Sequence, residues 1–321
     1  MSRIESAFSP VELTALLRAV LPDAPESPVF SPVPTGKYNT SFYVDGWKKP
    51  LVLRIAPPDE RDQNLFYEFR MMRQEPGIHS LVRERTNAPV AEIVAHSTQH
   101  PAIGRDFVLM ERLSGRPISD VSLTRKGTGR VLASVGRALS QVHAITREEY
   151  GYVGEHRPME PQKDWASAFG VMWGKLIDDI EGCGGYSKED ADRMRRLLET
   201  QLPVFARKVP ASLLHMDIWA ENILCTPEGE LTGLLDWDRG LWGDPEIEFA
   251  VLDYCGISEP AFWEGYGRER DASPEAEIRR IFYLLYEVQK YIFIRRVRSS
   301  SAAGAEQYRR QCLKLAVRLE S

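Results

Sequence analysis

The sequence predicts an α+β protein made of two unequal lobes. In its first third, short runs alternate between apolar and polar residues, which is the period of β-strands. In the rest of the chain, apolar residues recur three and four positions apart, the spacing of amphipathic helices. We therefore expect an N-terminal lobe over residues 1–112 that contains the strands, and a larger, mostly helical lobe over residues 113–321.

The composition limits the classes of protein to which this chain can belong. The 321 residues are 43% hydrophobic and 27% charged, with a net charge of −5 and a pI of about 5.8, so no basic field favours nucleic acid or an anionic membrane. No apolar run is long enough to cross a bilayer, and the run Val11–Leu21 contains two charges, unlike a secretory signal. The four scattered cysteines lack metal-ligand spacing, which predicts reduced thiols in a cytoplasmic protein.

The N-terminal lobe is predicted to start with a helix, because Ser9, Pro10 and Glu12 match a capping box. Two strands joined by a turn follow, then a helix, then two more strands. In chain order they are "TSFYVDGW", "PLVLRIA", a helix from about Asp59 to Gln74, "PVAEIVAHS" and "RDFVLMERL".

The larger lobe follows the loop signal "SGRP". Its predicted helices are "GRVLASVGRALSQVHAI", Asp164–Ile180, Lys188–Phe205, Glu275–Arg298 and Glu306–Leu319. Among them lies Leu213–Ala250, where short apolar strands alternate with His, Asn and several acids. A crevice between two unequal lobes is a favoured place for a ligand.

The stretch "HMDIWAEN" contains the pattern H-x-D-x-x-x-x-N in His215, Asp217 and Asn222, and Asp236 follows on the apolar run "LTGLL". Phosphoryl transfer needs a carboxylate that orients the attacking hydroxyl, and oxygen ligands that hold Mg²⁺ against the phosphates. Asp217 suits the first role, and Asn222 and Asp236 suit the second.

Taken singly, the same residues have simpler explanations. His215 could be a hydrogen-bonded core histidine. Asp244 before Pro245 could be an N-cap that starts a helix. The DxD of Asp236 and Asp238 could belong to a phosphatase or to the metal site of a glycosyltransferase.

The motifs together resemble those of aminoglycoside phosphotransferases and related small-molecule kinases, which include choline and fructosamine kinases. That family has H-G-D-x-x-x-x-N, then I-D-W, then G-D-P-x-x-D-L-A; this chain has "HMDIWAEN", "LLDWD" and "GDPEIEFA". The resemblance implies a bilobal protein-kinase-like fold with an antiparallel sheet and one key helix in the small lobe. It implies that Asp217 is catalytic, that Asn222 and Asp236 bind Mg²⁺, and that His215 supports them.

The resemblance extends to the nucleotide. Arg54 stands where the family has a Lys or Arg that reaches the phosphates, and Glu68 is expected to be its ion-pair partner. From spacing alone, Arg54 could be a cation on an edge strand and Glu68 part of a solvated helix face. The residues expected around the phosphates and the purine are Gly36, Met110, the carbonyl of Glu111 and the amide of Leu113.

Two positions depart from the family pattern, Met216 for Gly and Glu248 for Asp, and neither removes a group that the chemistry needs. From Asp236 to Glu264 there are eight acids and a single base, Arg239. This bias predicts a cationic acceptor, with Asp238 and Glu248 as candidate contacts.

The predicted function is an ATP- or GTP-dependent O-phosphotransferase that uses Mg²⁺ and acts on a small, cationic molecule such as an aminoglycoside or another antibiotic. A metabolic kinase for a fructosamine-, choline- or homoserine-like acceptor remains an alternative. A non-catalytic nucleotide-binding pseudokinase is a third, because Arg54 replaces Lys and the phosphate loop has a single glycine. Neither nucleic acid nor membrane is expected as a partner.

Overall fold

The computed structural model describes residues 8–34 and 38–320 of the chain and has two lobes, which confirms the α+β prediction. Its helices are α1 (Pro10–Val20), α2 (Glu75–Arg85), α3 (Arg125–His143), α4 (Trp165–Gly182), α5 (Lys188–Gln201), α6 (Pro245–Tyr254), α7 (Pro260–Tyr266), α8 (Pro274–Phe293) and α9 (Ala302–Glu320). Its strands are β1 (Val29–Pro32), β2 (Thr40–Asp45), β3 (Leu51–Ile55), β4 (Ile93–His100), β5 (Arg105–Glu111), β6 (Arg116–Pro117), β7 (Thr146–Arg147), β8 (Ala211–Leu214), β9 (Ile223–Cys225), β10 (Leu231–Leu234) and β11 (Leu241–Gly243).

The small lobe is an antiparallel sheet in the order β1-β2-β3-β5-β4. Helix α1 covers one face of it. Leu13, Leu16 and Leu17 are at most 1% exposed and pack on apolar side chains of β2, β3 and β5. Burial of each leucine contributes about 2 kcal/mol to the stability of the lobe. The capping box at Ser9 and Glu12 is present as predicted.

The helix predicted from Asp59 to Gln74 is wrong. This segment, residues 59–74, which we call the strap, forms two short 3₁₀ turns, Arg61–Gln63 and Met71–Gln74. Arg70 between them has a left-handed backbone with φ 60°. Such a conformation interrupts a right-handed helix.

Leu65, Phe66 and Tyr67 of the strap pack on the large lobe. Leu65 and Tyr67 belong to the same core as Tyr152, and the rings of Tyr67 and Tyr152 stack at 5.0 Å. The helical spacing in the sequence therefore reflects burial against a distant part of the chain. The helix of the small lobe, α2, starts later, at Glu75, with Pro76 in its first turn.

The large lobe contains the predicted helices with shifted ends. The helix predicted as Lys188–Phe205 ends at Gln201 and continues as a 3₁₀ turn. The one predicted as Glu275–Arg298 ends at Phe293 and continues as a π-helical turn, Ile294–Arg298. All four cysteines are free thiols, as predicted. Within residues 8–34 and 38–320, no helix has both the length and the apolar character needed to cross a membrane.

Candidate active site

Two loops of the large lobe meet because the strands beside them pair. Residues 215–222 connect β8 to β9, and residues 235–240 connect β10 to β11. β8 pairs with β11 and β9 pairs with β10. The loops are also joined directly, since the Leu235 N–H donates to the Asn222 carbonyl at 2.9 Å. This topology brings together Asp217, Asn222 and Asp236, the residues predicted for catalysis and Mg²⁺.

Asp217 is held at its carboxylate by Asn222 and at its backbone by Asn222 and His215. Asn222 Nδ2 lies 3.0 Å from Asp217 Oδ2 and 2.9 Å from its backbone oxygen. The Asp217 N–H donates to His215 Nδ1 at 3.2 Å. The Asp217 side chain is 36% exposed, so the carboxylate is oriented and still accessible from the cleft.

His215 ties the two loops together. Its Nε2 lies 2.8 Å from the carbonyl oxygen of Leu235, while Nδ1 accepts from Asp217. One ring nitrogen therefore donates and the other accepts, which is the neutral imidazole. Burial lowers the pKa of His215 and favours the same form.

Arg54 lies among three carboxylates. Its NH1 pairs with Glu75, and its NH2 lies 3.0 Å from Asp236 Oδ1 and 3.0 Å from Asp238 Oδ2. The predicted pair between Arg54 and Glu68 is wrong, because Glu68 lies on the strap and pairs with Arg298. The partner comes instead from the first turn of α2. The sequence "EP" at residues 75–76 is a helix-start signal that could have identified it.

This cluster has more negative charge than Arg54 can balance. Burial raises the pKa of Asp238 to about 7, although Arg54 opposes the shift. Burial also raises the pKa of Asp236; Arg54 lowers it, and the carboxylates of Glu75 and Asp217 raise it further. The Asp238 side chain is 8% exposed and that of Asp236 is 43% exposed, so Asp236 is the carboxylate that an external cation can reach.

Asp238 and Glu248, the two predicted acceptor contacts, are bound inside the protein. Asp238 pairs with Arg54 and accepts from Asn39 Nδ2 at 3.1 Å. Glu248 is fully buried; its carboxylate accepts from the N–H groups of Met216 at 2.7 Å and His215 at 3.1 Å. The prediction that these two carboxylates contact an acceptor is therefore wrong.

Met216 and Glu248, the two departures from the family pattern, touch each other. Met216 has a left-handed backbone with φ 66°, a conformation that costs a non-glycine residue about 1–3 kcal/mol. Glu248 holds that backbone and is itself held by His143, whose Nε2 lies 2.8 Å from its Oε2. Burial raises the pKa of Glu248, but its interactions with His143 and with the Met216 N–H outweigh burial and hold the pKa below its usual value.

Three other acids belong to the acid-rich stretch that predicted a cationic acceptor. These acids, Asp244, Glu246 and Asp253, pair with arginines. The pairs are Asp244–Arg207 at 2.6 Å, Glu246–Arg207 at 2.7 Å, Glu246–Arg279 at 2.7 Å and Asp253–Arg270 at 2.6 Å. The Asp244 side chain also caps α6, which is its simpler interpretation. These carboxylates are neutralised inside the protein, so they give a cationic acceptor little to bind.

Sequence reasoning missed a charged group beside Asp217. Arg239 is buried; its NH1 lies 4.0 Å from Asp217 Oδ1 and donates to the Met216 carbonyl at 2.7 Å. Its NH2 lies 3.0 Å from Glu287 on α8, and Glu287 pairs with Lys290 at 2.5 Å. The single base in an acidic stretch was the signal that could have pointed to Arg239.

The residues predicted for the purine lie at the end of β5. Met110 is 5% exposed and shares an apolar cluster with Met72, and the side chain of Leu113 packs against that cluster. Glu111 ends the strand, and its N–H donates to the backbone carbonyl of Glu92. Gly36 lies outside the described residues.

Two further observations concern ligands. A cavity of about 820 Å³ lies against α3, α6, α7 and α8, and none of the predicted site residues lines it. In the described part of the chain, no group of three or more His, Cys, Asp or Glu side chains is arranged to hold a metal ion. Mg²⁺ often takes only one or two ligands from a protein, so this finding does not count against the prediction that Asn222 and Asp236 bind it.

Solved structures share this fold. A "putative fructosamine-3-kinase" from Haemophilus somnus 129PT has a TM-score of 0.68 and 16% identity, covering 94% of this chain and 96% of that one. A thermostable mutant of the aminoglycoside phosphotransferase APH(4)-Ia, in a ternary complex with AMP-PNP and hygromycin B, has a TM-score of 0.66 and 16% identity, covering 94% and 98%. At such identities the likeness shows the fold alone, and it confirms the protein-kinase-like prediction.

Comparisons of sequence identify the family as well as the fold. A protein of Vibrio parahaemolyticus named "Probable ketoamine kinase" is 25% identical over 266 residues, 79% of this chain and 82% of the relative. The profile of the phosphotransferase enzyme family matches residues 29–281. The chain therefore belongs to the phosphotransferase enzyme family and, as predicted, is a small-molecule kinase.

Proposed function

We propose that this protein transfers the γ-phosphate of ATP or GTP to a hydroxyl group of a small polyhydroxylated molecule. The observation that carries the proposal is the placement of Asp217. Its accessible carboxylate is fixed by Asn222 beside a buried cluster in which carboxylates outnumber the single Arg54. A base that faces the cleft and a charge excess that calls for a cation are the two requirements of phosphoryl transfer.

The nucleotide would bind between the lobes, with residues 1–112 as the nucleotide lobe and residues 113–321 as the catalytic lobe. Met110 and Leu113 offer an apolar surface for the purine, and the backbone of Glu111 and Leu113 offers hydrogen bonds. Arg54 would place the phosphates. The complex of APH(4)-Ia with AMP-PNP, a structure that covers 94% of this chain, supports nucleotide binding by a protein of this fold.

Asn222 and Asp236 would hold Mg²⁺. Because Nδ2 of Asn222 is committed to Asp217, its side-chain oxygen is the group left for a cation. Asp236 is the more exposed carboxylate of the cluster. Bound Mg²⁺ supplies positive charge that offsets the phosphates and the surplus carboxylates.

In the reaction, Asp217 would orient the acceptor hydroxyl and take its proton. The hydroxyl oxygen forms a bond to the γ-phosphorus as the bond to the bridging oxygen breaks, and the nucleoside diphosphate leaves. Arg239, 4.0 Å from the carboxylate, would keep Asp217 pointed at the cleft. Direct transfer of this kind needs no covalent enzyme intermediate.

For the acceptor, we propose a ketoamine, that is, a sugar joined to an amine. The relative named "Probable ketoamine kinase" covers 79% of this chain. The acids that would have attracted a polycationic antibiotic are engaged inside the protein. An aminoglycoside is the second candidate, because the neighbour that binds hygromycin B shares the fold.

Coupled ADP release with purified protein tests the proposal. The acceptors are fructoselysine, hygromycin B, kanamycin, choline and homoserine, with nucleotide alone as the blank. We expect release with fructoselysine and a phosphorylated product. The Asp217→Asn variant should lose about a thousandfold in kcat, as for removal of a general base, and should still bind AMP-PNP.

Two outcomes would contradict the proposal. Nucleotide binding without transfer to any of these acceptors would support a non-catalytic nucleotide-binding module. Undiminished turnover in Asp217→Asn would remove that residue from the chemistry.

A further inference from the structure

The strap is joined to the large lobe by Arg298, on the π-helical turn that follows α8. The Arg298 guanidinium pairs with Glu68, and its Nε donates to the carbonyl of Gln63 at 3.1 Å. The same guanidinium lies over the ring of Tyr38, 5.0 Å from its centre. One arginine thus contacts the strap and Tyr38, which lies two residues before β2. Such π-helical turns are frequent at functional sites.

Tyr38 is fixed by the same group of residues. Its hydroxyl lies 2.7 Å from Asn64 Oδ1 and 3.0 Å from the backbone oxygen of Glu68. The Glu68 carboxylate in turn accepts from the N–H of Leu65 at 2.9 Å. Arg298 therefore completes a polar cluster in which every other member belongs to the small lobe or the strap.

The residue after Tyr38 reaches the proposed metal and nucleotide cluster. Asn39 Nδ2 donates to Asp238 Oδ2 at 3.1 Å, and Asp238 shares Arg54 with Asp236. Within the described residues, the buried Asn39 Oδ1 has no hydrogen-bond partner, so its own bonds only partly fix the amide. Asn39 directly follows Tyr38 in the chain, so a shift of Tyr38 would move the Asn39 backbone as well.

In addition to its apolar packing, the strap is joined to the large lobe by hydrogen bonds at Phe66 and at Gln74. The Phe66 N–H donates to Asp179 Oδ2 on α4 at 2.7 Å. At the other end, Gln74 Nε2 donates to the backbone oxygens of Asp238 at 2.7 Å and Gly240 at 3.2 Å. Of these contacts between the strap and the large lobe, the contact made by Arg298 also involves Tyr38.

We propose that Arg298 is a positioning residue for the nucleotide end of the cleft. Acting from the large lobe, it fixes Tyr38, and Tyr38 holds Asn39 against Asp238. The contacts form one continuous path from the end of α8 to the salt bridges of Arg54. This inference rests on the proposed nucleotide binding at that cluster, and it predicts that nucleotide affinity depends on a residue that does not touch the nucleotide.

The test compares Arg298→Met with Arg295→Met. Arg295 lies on the same π-helical turn, is exposed, and takes part in none of the ion pairs formed by residues 8–34 and 38–320. Binding of AMP-PNP with Mg²⁺ is measured by calorimetry on the full chain. Arg298→Met should raise Kd about tenfold, the range expected for coupling through a hydrogen-bonded network, and Arg295→Met should leave it unchanged.

A second variant separates positioning from stability. Tyr38→Phe keeps the ring under Arg298 and the Arg298–Glu68 pair but removes the hydroxyl bonds to Asn64 and Glu68, so Kd should rise a few-fold. Equal Kd values for wild type, Arg298→Met and Tyr38→Phe, with only the melting temperature lowered, would overturn the inference. A wild-type protein that binds no AMP-PNP would instead overturn the proposed function.

Discussion

Two groups of acids, close in sequence, have opposite electrostatic surroundings. Around Arg54, three carboxylates share one guanidinium, and the pKa of Asp238 rises to about 7. On and before α6, three arginines match three acids: Asp244 and Glu246 share Arg207, Glu246 also pairs with Arg279, and Asp253 pairs with Arg270. The first group has surplus negative charge and the second has none.

This difference distinguishes carboxylates that can form a binding site from carboxylates that stabilise the fold. A buried carboxylate is tolerated when cations or N–H donors surround it, and it then fixes the structure. When buried carboxylates outnumber the cations beside them, they destabilise the folded protein unless a cation binds from outside. An acid-rich sequence is therefore ambiguous until the partners of each acid are known.

The largest expected effect comes from the same substitution made once in each group. Asp236→Asn removes the accessible carboxylate of the surplus group and should lower kcat/KM at least about a thousandfold, because the proposed metal ligand would be lost. Asp253→Asn removes a half-exposed ion pair and should change kcat/KM less than about twofold. Steady-state kinetics on both variants checks this; similar losses in the two would show that the groups do not differ.

A smaller effect, on stability, is expected from Glu248→Gln. The new amide would place a donor against the N–H of His215 or Met216, so we expect the free energy of unfolding to fall by about 3 kcal/mol. Glu259→Gln, at an exposed position, should change it by less than about 0.5 kcal/mol. Urea denaturation measures both. Equal unfolding energies for the two variants would mean that Glu248 does not hold the loop.

The smallest effect concerns Asp179, a partly buried acid outside both groups. Burial raises its pKa to about 6, above the value in an unfolded chain. The fold thus favours the protonated form, and this contribution is present below about pH 4 and lost as pH rises through about 6. Asp179→Asn keeps an acceptor for the Phe66 N–H and carries no charge. The free energy of unfolding of Asp179→Asn minus that of wild type should therefore increase by about 1 kcal/mol between about pH 4 and about pH 7.5, after allowance for the partial exposure of Asp179.

Chemical denaturation at both pH values tests this expectation. A stability difference between wild type and Asp179→Asn that does not change with pH would show that Asp179 ionises normally.

Local sequence signals predicted local structure well. The capping box at Ser9, the strands β2 to β5 and the loop from His215 to Asn222 depend on neighbouring residues, and the structure has them, whereas β1 was not predicted. The strap was not predictable in this way. Its apolar spacing suits a helix, but Glu68 finds its partner Arg298, 230 residues away, and Leu65 packs in the core of the other lobe.

The partners of the acids could not be predicted for the same reason. Asp238 meets Arg54 across 184 residues, and Glu248 meets His143 across 105. Sequence alone shows how many acids a stretch contains, whereas burial and pairing are set by tertiary contacts. The acidic bias after Asp236 thus suggested a cationic acceptor, although most of those carboxylates serve the fold.

The surplus charge at Arg54 is tested most directly by the Mg²⁺ dependence of nucleotide binding. AMP-PNP is titrated into wild type and Asp236→Asn by calorimetry, with Mg²⁺ and with EDTA. If the surplus carboxylates form the cation site, EDTA should weaken binding to wild type about tenfold or more, because the phosphates then face unbalanced negative charge. In Asp236→Asn the dependence on Mg²⁺ should largely disappear. Equal affinity of the wild type with Mg²⁺ and with EDTA would contradict a cation site at Arg54 and Asp236.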